Sequence, residues 1–199
     1  MRGATILNNF QKYLVWLALG IPAVFTFVRY LTDDISYGQV IHETGDWSIG
    51  LLMATLFITP LIRLWPNAQW IRWFMRQRRA MGVASFGYAA FHTLAYLDRK
   101  WGYGYILPEA KDPGLLTGWI ALVIFILLAL TSNNVSVRLM KQNWQRLHRL
   151  VYIATGLIFA HWILTAFETV TAYVCLGLVL LIELLRWYRP VYRLSLIHI

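Results

Sequence analysis

The stretch LHRLVYIATGLIFAHW, residues 147 to 162, is apolar enough to lie in a lipid bilayer, yet it carries His148 at its start and His161 thirteen residues later. An imidazole in hydrocarbon is costly and usually serves to bind or move something. The whole chain is similarly apolar: 59% of its 199 residues are hydrophobic, 14% are charged, and the mean hydropathy is +0.54. A soluble domain needs more surface charge, so the composition predicts an integral membrane protein.

Six apolar runs have about the length that an α-helix needs to cross ~30 Å of hydrocarbon. They cover residues 13–28, 47–62, 80–97, 115–131, 150–167 and 170–185. In lipid the backbone must satisfy its own hydrogen bonds, so we expect each run to be helical. The predicted fold is therefore an all-α bundle of six transmembrane helices.

The charged residues predict how this bundle is oriented. With the N-terminus in the cytoplasm, fourteen of the eighteen basic residues fall on that side and eight of the nine acidic residues fall on the other. This positive-inside pattern predicts that both termini are cytoplasmic. It also explains the net charge of +9 without any nucleic acid as a partner. The basic segment WIRWFMRQRR, residues 70–79, would suit an acidic reductase or a flavin phosphate, although such segments more often anchor to anionic lipid headgroups.

Some cofactor sites are excluded by composition. The single cysteine, Cys175, allows neither an internal disulfide nor a Cys-x-x-Cys-His haem attachment motif, so any haem must be held without a covalent bond. No Gly-rich strand-turn-helix pattern is present, so the chain has no Rossmann-type site for NAD(P)H.

Two histidines are expected at the same depth. His92 lies thirteen residues beyond Arg79, and His161 lies twelve beyond Arg149, each counted from the last basic residue before its helix. At 1.5 Å per residue, both lie about 18 to 20 Å from the cytoplasmic interface. Two imidazoles on parallel helices can clamp a haem, whose iron accepts one on each face. The alternative is two unrelated histidines that bond to neighbouring helices. Gly87 and Gly156, each five residues before a histidine, would allow close approach of a macrocycle or, more simply, of another helix.

The other histidines are less informative. His148 lies about 20 Å along its helix from His161 and is either an interfacial residue or a ligand of a second, inner haem. His42 precedes the second run, where Thr44 or Asp46 would cap the helix, so we expect it in a loop. His198 belongs to the terminal LSLIHI, residues 194–199, which is typical of a translated sequencing adapter. We therefore expect a single domain over residues 1–193 and a non-native tail.

Several short motifs resemble one family. They are IHETG (41–45), FITPLIR (57–63), RRAMG (78–82), AAFHTLAY (89–96), ALTS (129–132), WQRLHRLVY (144–152) and AHW (160–162). Together with six helices and histidines on the third and fifth, they resemble the MsrQ (YedZ) family, within the ferric-reductase-like transmembrane group. The resemblance covers about residues 10–190.

The resemblance implies a multi-pass subunit of the bacterial inner membrane that binds b-type haem. Such a subunit passes electrons from a quinol of the respiratory chain, or from a cytoplasmic flavin reductase, to a periplasmic molybdopterin enzyme. That enzyme reduces methionine sulfoxide in oxidised proteins, so the chain would be the electron-transfer subunit of an oxidoreductase system. His92 and His161 would be axial ligands of the outer haem iron, and His148 would serve an inner haem or the electron-donor side. FMN is implied by the family alone, and Arg79 stands where wider relatives with two haems carry a histidine.

Other functions remain open from the residues alone. A stand-alone ferric or quinone reductase would use the same haem ligands. A proton-relay transporter would need further intramembrane acids, and only Glu168 and Glu183, near the ends of the sixth run, are candidates. A structural assembly subunit would contain no haem.

Overall fold

The computed structural model describes residues 2–101, 109 and 111–185, and the side chains of residues 11–101, 109 and 111–184. The expected tail at residues 194–199 lies outside these residues. In the described parts every regular element is helical, so the all-α prediction is confirmed. The helices are α1 (Arg2–Leu31), α2 (Tyr37–Leu64), α3 (Gln69–Trp101), α4 (Pro113–Leu130), α5 (Asn134–Met140), α6 (Gln142–His148), α7 (Leu150–Thr165) and α8 (Val170–Leu185).

Four stretches of the described chain are long and apolar enough to cross a membrane: Gln11–Leu31, Tyr37–Leu64, Pro113–Leu130 and Gln142–Thr165. They contain the first and second predicted runs and most of the fourth and fifth. The third run lies in α3, which is 33 residues long but carries charged residues at both ends. The sixth run is apolar, but its described stretch, Val170–Leu184, is shorter. The count of six spans remains a prediction.

The second helix begins earlier than its apolar run. Ser36 is the N-cap of α2: its hydroxyl accepts from the backbone N–H of Gln39, and the Gln39 side chain accepts from the backbone N–H of Ser36. This capping box starts the helix at Tyr37. The expectation that His42 lies in a loop is therefore wrong, because His42 is inside α2.

Two helix pairs organise the bundle, α2 with α3 and α4 with α7. A shared core joins α2, α4, α7 and α8 through Leu56, Phe125, Phe159 and Val179, each at most 5% exposed. Large apolar side chains face outward, as at Leu17 on α1, which is 60% exposed. Since lipid is itself apolar, this outward face is typical of a protein embedded in a membrane.

Candidate functional site

The structure brings His92 of α3 and His161 of α7 together. Their ring centroids are 6.3 Å apart and the ring planes are nearly perpendicular, at 86°. The equal depth inferred from the sequence thus corresponds to a direct side-chain pair. Both rings are half-buried and line one cavity.

Backbone carbonyls orient both rings. Nδ1 of His92 lies 3.0 Å from the carbonyl oxygen of Ile41, and Nδ1 of His161 lies 2.8 Å from that of Gly114. A carbonyl oxygen only accepts hydrogen bonds, so Nδ1 carries the proton in each ring. Each neutral imidazole then has its lone pair on Nε2, as a histidine ligand of a metal requires.

The spacing of the rings fits one iron held between them. A metal–imidazole bond of about 2 Å on each side, and about 1 Å from each nitrogen to its ring centre, place two axial imidazoles about 6 Å apart, centre to centre. The observed 6.3 Å agrees with this separation. Within the described residues, no group of three or more His, Cys, Asp or Glu side chains could hold a metal ion. The pair therefore fits the axial set of a haem better than a zinc site.

The cavity beside the pair has a volume of about 430 Å³, within the range of pockets for small ligands. Its wall is mostly apolar, for example at Ala121 and Phe125 of α4. Polar side chains, including His42 and Asp46, lie toward the N-terminal end of α2, the predicted outer side. A mostly apolar cavity with a polar end is suited to an amphipathic macrocycle.

The glycines that approach the histidines differ from those singled out in the sequence. Gly87 and Gly156 are exposed, and a Cβ added to either would meet nothing within 4 Å. No described helix approaches either glycine, so the expectation of close helix packing there is wrong. Gly45 of α2 lies against His92, and Gly118 of α4 lies against His161. The Gly-x-x-x-Gly spacing of Gly114 and Gly118 is a sequence signal that could have identified the second contact.

His148 lies apart from this pair and does not line the cavity. It ends α6, where its half-buried ring stacks on Trp144 with the centroids 3.9 Å apart. Its Nε2 lies 3.1 Å from the hydroxyl oxygen of Thr131. Arg79 donates to Asn134 Oδ1 at 2.6 Å. Any metal ligation through Nε2 would require His148 to release Thr131.

His42 is the cavity residue that the sequence reasoning misplaced. It is exposed and lies one turn before Asp46 on α2, next to the carbonyl of Ile41 that orients His92. The capping box at Ser36 and Gln39 was the signal that could have placed it in a helix.

Comparison with known proteins identifies the class. The profile of the family described as "Ferric reductase like transmembrane component" matches residues 44–160, more than half of the chain. The chain belongs to this family of transmembrane proteins.

Its relatives define the class more narrowly. A protein of Brucella anthropi is 35% identical over 163 residues, which are 77% of this chain and 72% of that protein. A protein of Herminiimonas arsenicoxydans is 36% identical over 165 residues, 79% of this chain and 72% of that protein. A protein of Brucella ovis is 32% identical over 164 residues, which are again 79% of this chain and 72% of that protein. All three are named protein-methionine-sulfoxide reductase heme-binding subunit MsrQ, so the predicted resemblance to the MsrQ family is confirmed.

Proposed function

We propose that this chain is a b-type haem electron-transfer subunit of the bacterial inner membrane. It passes electrons to a periplasmic molybdopterin methionine sulfoxide reductase that repairs oxidised proteins. The observation that carries the proposal is the His92–His161 pair: two imidazoles 6.3 Å apart, each with Nδ1 directed at a backbone carbonyl. The names of the relatives, which describe heme-binding subunits of such a system, support it.

In this proposal His92 and His161 would hold the haem iron, and the haem would supply reversible one-electron chemistry. The Ile41 and Gly114 carbonyls accept from Nδ1, which orients each ring and makes its Nε2 a better donor to the metal. The apolar wall would limit access of water to a haem bound there, and such an environment is one of the factors that tune a haem potential. The one cysteine, Cys175, agrees with a haem held without covalent attachment.

His148 is assigned to the electron-donor side, either as a ligand of a second haem or as part of the surface that the donor approaches. Its stacking on Trp144 and its contact with Thr131 hold it in one orientation. The donor is a quinol or a cytoplasmic flavin reductase, and FMN belongs to this proposal through the family alone. The basic side, predicted to be cytoplasmic together with both termini in a six-span topology, suits an acidic reductase.

The first test is a dithionite-reduced minus oxidised spectrum with a pyridine haemochrome assay on detergent-purified protein. Sharp b-type bands in the wild type, lost in His92→Ala and in His161→Ala, are the expected result. His42→Ala is the matched control. His42 lines the same cavity but is not one of the two proposed haem ligands, so this variant should retain the bands. Wild-type protein without haem bands, purified from haem-replete cells, would contradict the proposal.

The partner is tested separately. Reduced protein is mixed with a purified periplasmic molybdopterin sulfoxide reductase, and the haem bands are followed after methionine sulfoxide is added. Reoxidation that needs both enzyme and sulfoxide supports the proposed role. Reoxidation by ferric chelates or quinones, with no response to the enzyme, would instead indicate a stand-alone reductase.

A further inference from the structure

The His161 ring lies directly against the backbone of α4 at Gly118. A Cβ added at Gly118 would come within 2.8 Å of His161 Nδ1, 3.0 Å of Cε1 and 3.2 Å of Cγ. Real Cβ atoms essentially never approach a heavy atom closer than 3.0 Å, so the ring and any side chain at position 118 cannot both keep their places.

The ring has little freedom to move away. Its Nδ1–H donates to the carbonyl of Gly114, one turn earlier on α4, at 2.8 Å. The same carbonyl accepts from the Thr117 hydroxyl at 2.6 Å, so the acceptor is itself held. At Gly114 the two helices are also close, because a Cβ there would lie 3.0 Å from Thr165 Cγ2 and 3.1 Å from Leu164 Cβ of α7. The close contact of Gly114 with Thr165 and Leu164 thus fixes the spacing of α4 and α7 next to the ring.

The opposite histidine is held less tightly. A Cβ added at Gly45 would lie 3.6 Å from His92 Nδ1, an ordinary van der Waals contact. Gly156 lies on the same helix as His161, and a Cβ there would meet nothing within 4 Å. Of Gly45, Gly118 and Gly156, only Gly118 is therefore sterically required to be glycine.

We infer that Gly118 is the positioning residue of His161: the absence of its side chain lets the imidazole lie flat on α4, bond to Gly114 and direct Nε2 toward His92. This inference rests on the proposed haem ligation. An alanine at 118 pushes the ring off the Gly114 carbonyl, which changes both the place of Nε2 and the proton position that keeps its lone pair available.

The test compares Gly118→Ala with the matched variant Gly156→Ala, which changes an exposed glycine on the same helix as His161 and outside the cavity. The haem affinity of Gly118→Ala is expected to be lower by about 10-fold or more, the range typical when the hydrogen-bond partner of a metal ligand is lost. The haem that remains should show a changed low-spin electron paramagnetic resonance signal and a shifted midpoint potential. Gly156→Ala should match the wild type. Full haem in Gly118→Ala, with unchanged signal and potential, would overturn the inference.

A double-mutant cycle covers the case in which Gly118→Ala folds poorly. In the His161→Ala background there is no ring to displace, so Gly118→Ala should leave the melting temperature unchanged or raise it, since alanine favours helix over glycine. If Gly118→Ala lowers the melting temperature equally in the wild-type and His161→Ala backgrounds, Gly118 is needed for another reason and the inference is wrong. If the wild type binds haem and Gly118→Ala has no effect, only this inference is contradicted. If the wild type binds no haem, the proposed function is contradicted as well.

Discussion

Ser48 of α2 and Ser85 of α3 each donate a hydrogen bond to the other's backbone carbonyl, at 3.0 and 2.8 Å. Both side chains are buried. On α2, Ser48 lies one turn after Gly45, and on α3, Ser85 lies two turns before His92. The reciprocal bonds therefore fix how α2 and α3 pack close to the point where His92 meets Gly45.

Removing one of these hydroxyls should loosen the α2–α3 contact. Ser85→Ala is expected to lower the free energy of unfolding by about 0.5–1.5 kcal/mol, the net contribution of a typical hydrogen bond. Unfolding by denaturing detergent, followed by circular dichroism, gives the value. Ser132→Ala is the control, because its hydroxyl makes only a local bond, to the Leu128 carbonyl four residues earlier at 2.7 Å. If both variants lose the same free energy of unfolding, the interhelical hydrogen bonds contribute no more to stability than a local one.

Tyr88 of α3 bridges two backbone groups of the first helix beside Pro22. Near Pro22 the Tyr88 hydroxyl accepts a hydrogen bond from the Ala23 N–H at 3.1 Å and donates one to the Leu19 carbonyl at 2.8 Å. Tyr88→Phe leaves both backbone groups without this partner and should cost about 1–3 kcal/mol of unfolding free energy. The same denaturing-detergent titration measures the loss.

Tyr173→Phe is the matched control for that substitution, since Tyr173 of α8 is 56% exposed. It should leave the unfolding free energy almost unchanged. If Tyr88→Phe is as stable as Tyr173→Phe, water or a shifted α1 satisfies the groups at Pro22, and the bridging role assigned to Tyr88 is wrong.

His148→Ala separates the two histidine environments. The variant loses the stacking on Trp144 and the contact with Thr131, but these lie apart from the cavity of His92 and His161. The haem held by that pair should keep its absorption bands and midpoint potential. The haem-to-protein ratio shows whether His148 holds a second haem. A fall to half of the wild-type ratio identifies such a haem. Complete loss of haem would contradict the separation of the sites.

Glu109 should make the stability of the fold depend on pH. Its hydrogen bond from Lys100 at 2.7 Å, and then that from Tyr96 at 2.9 Å, lower the pKa of its carboxyl below the ordinary 4.5. A lowered folded-state pKa stabilises the fold above pH 4.5, and this stabilisation is lost as the pH falls through the folded value. Melting temperatures of wild type and Glu109→Gln should therefore differ at neutral pH and converge in acid.

The control for Glu109→Gln is Glu168→Gln, whose native carboxylate bonds locally, to the backbone N–H of Val170 at 2.9 Å and to the hydroxyl of Thr171 at 3.1 Å. This control leaves the link between Lys100, Tyr96 and Glu109 intact. A difference between Glu109→Gln and wild type that persists unchanged in acid would show that the effect of the substitution is not electrostatic.

Helices were predictable from the sequence where an apolar run is long, because hydrocarbon forces the backbone to bond internally. The start of α2 was missed for a local reason. The signal at Ser36 and Gln39 is polar, so a reading based on apolar runs begins the helix ten residues too late. His42 was consequently assigned to a loop, although it lines the cavity.

The sequence by itself determined the helical, membrane-embedded class and the common depth of His92 and His161, because composition and rise per residue are local properties of the chain. Only the tertiary structure decided which backbone carbonyls orient the two rings and which glycines make room for them. Ile41 and Gly114 are 51 and 47 residues away from the histidines they contact. Such contacts depend on how α2 packs on α3 and α4 on α7, and helix periodicity carries no information about the rotation of one helix against another.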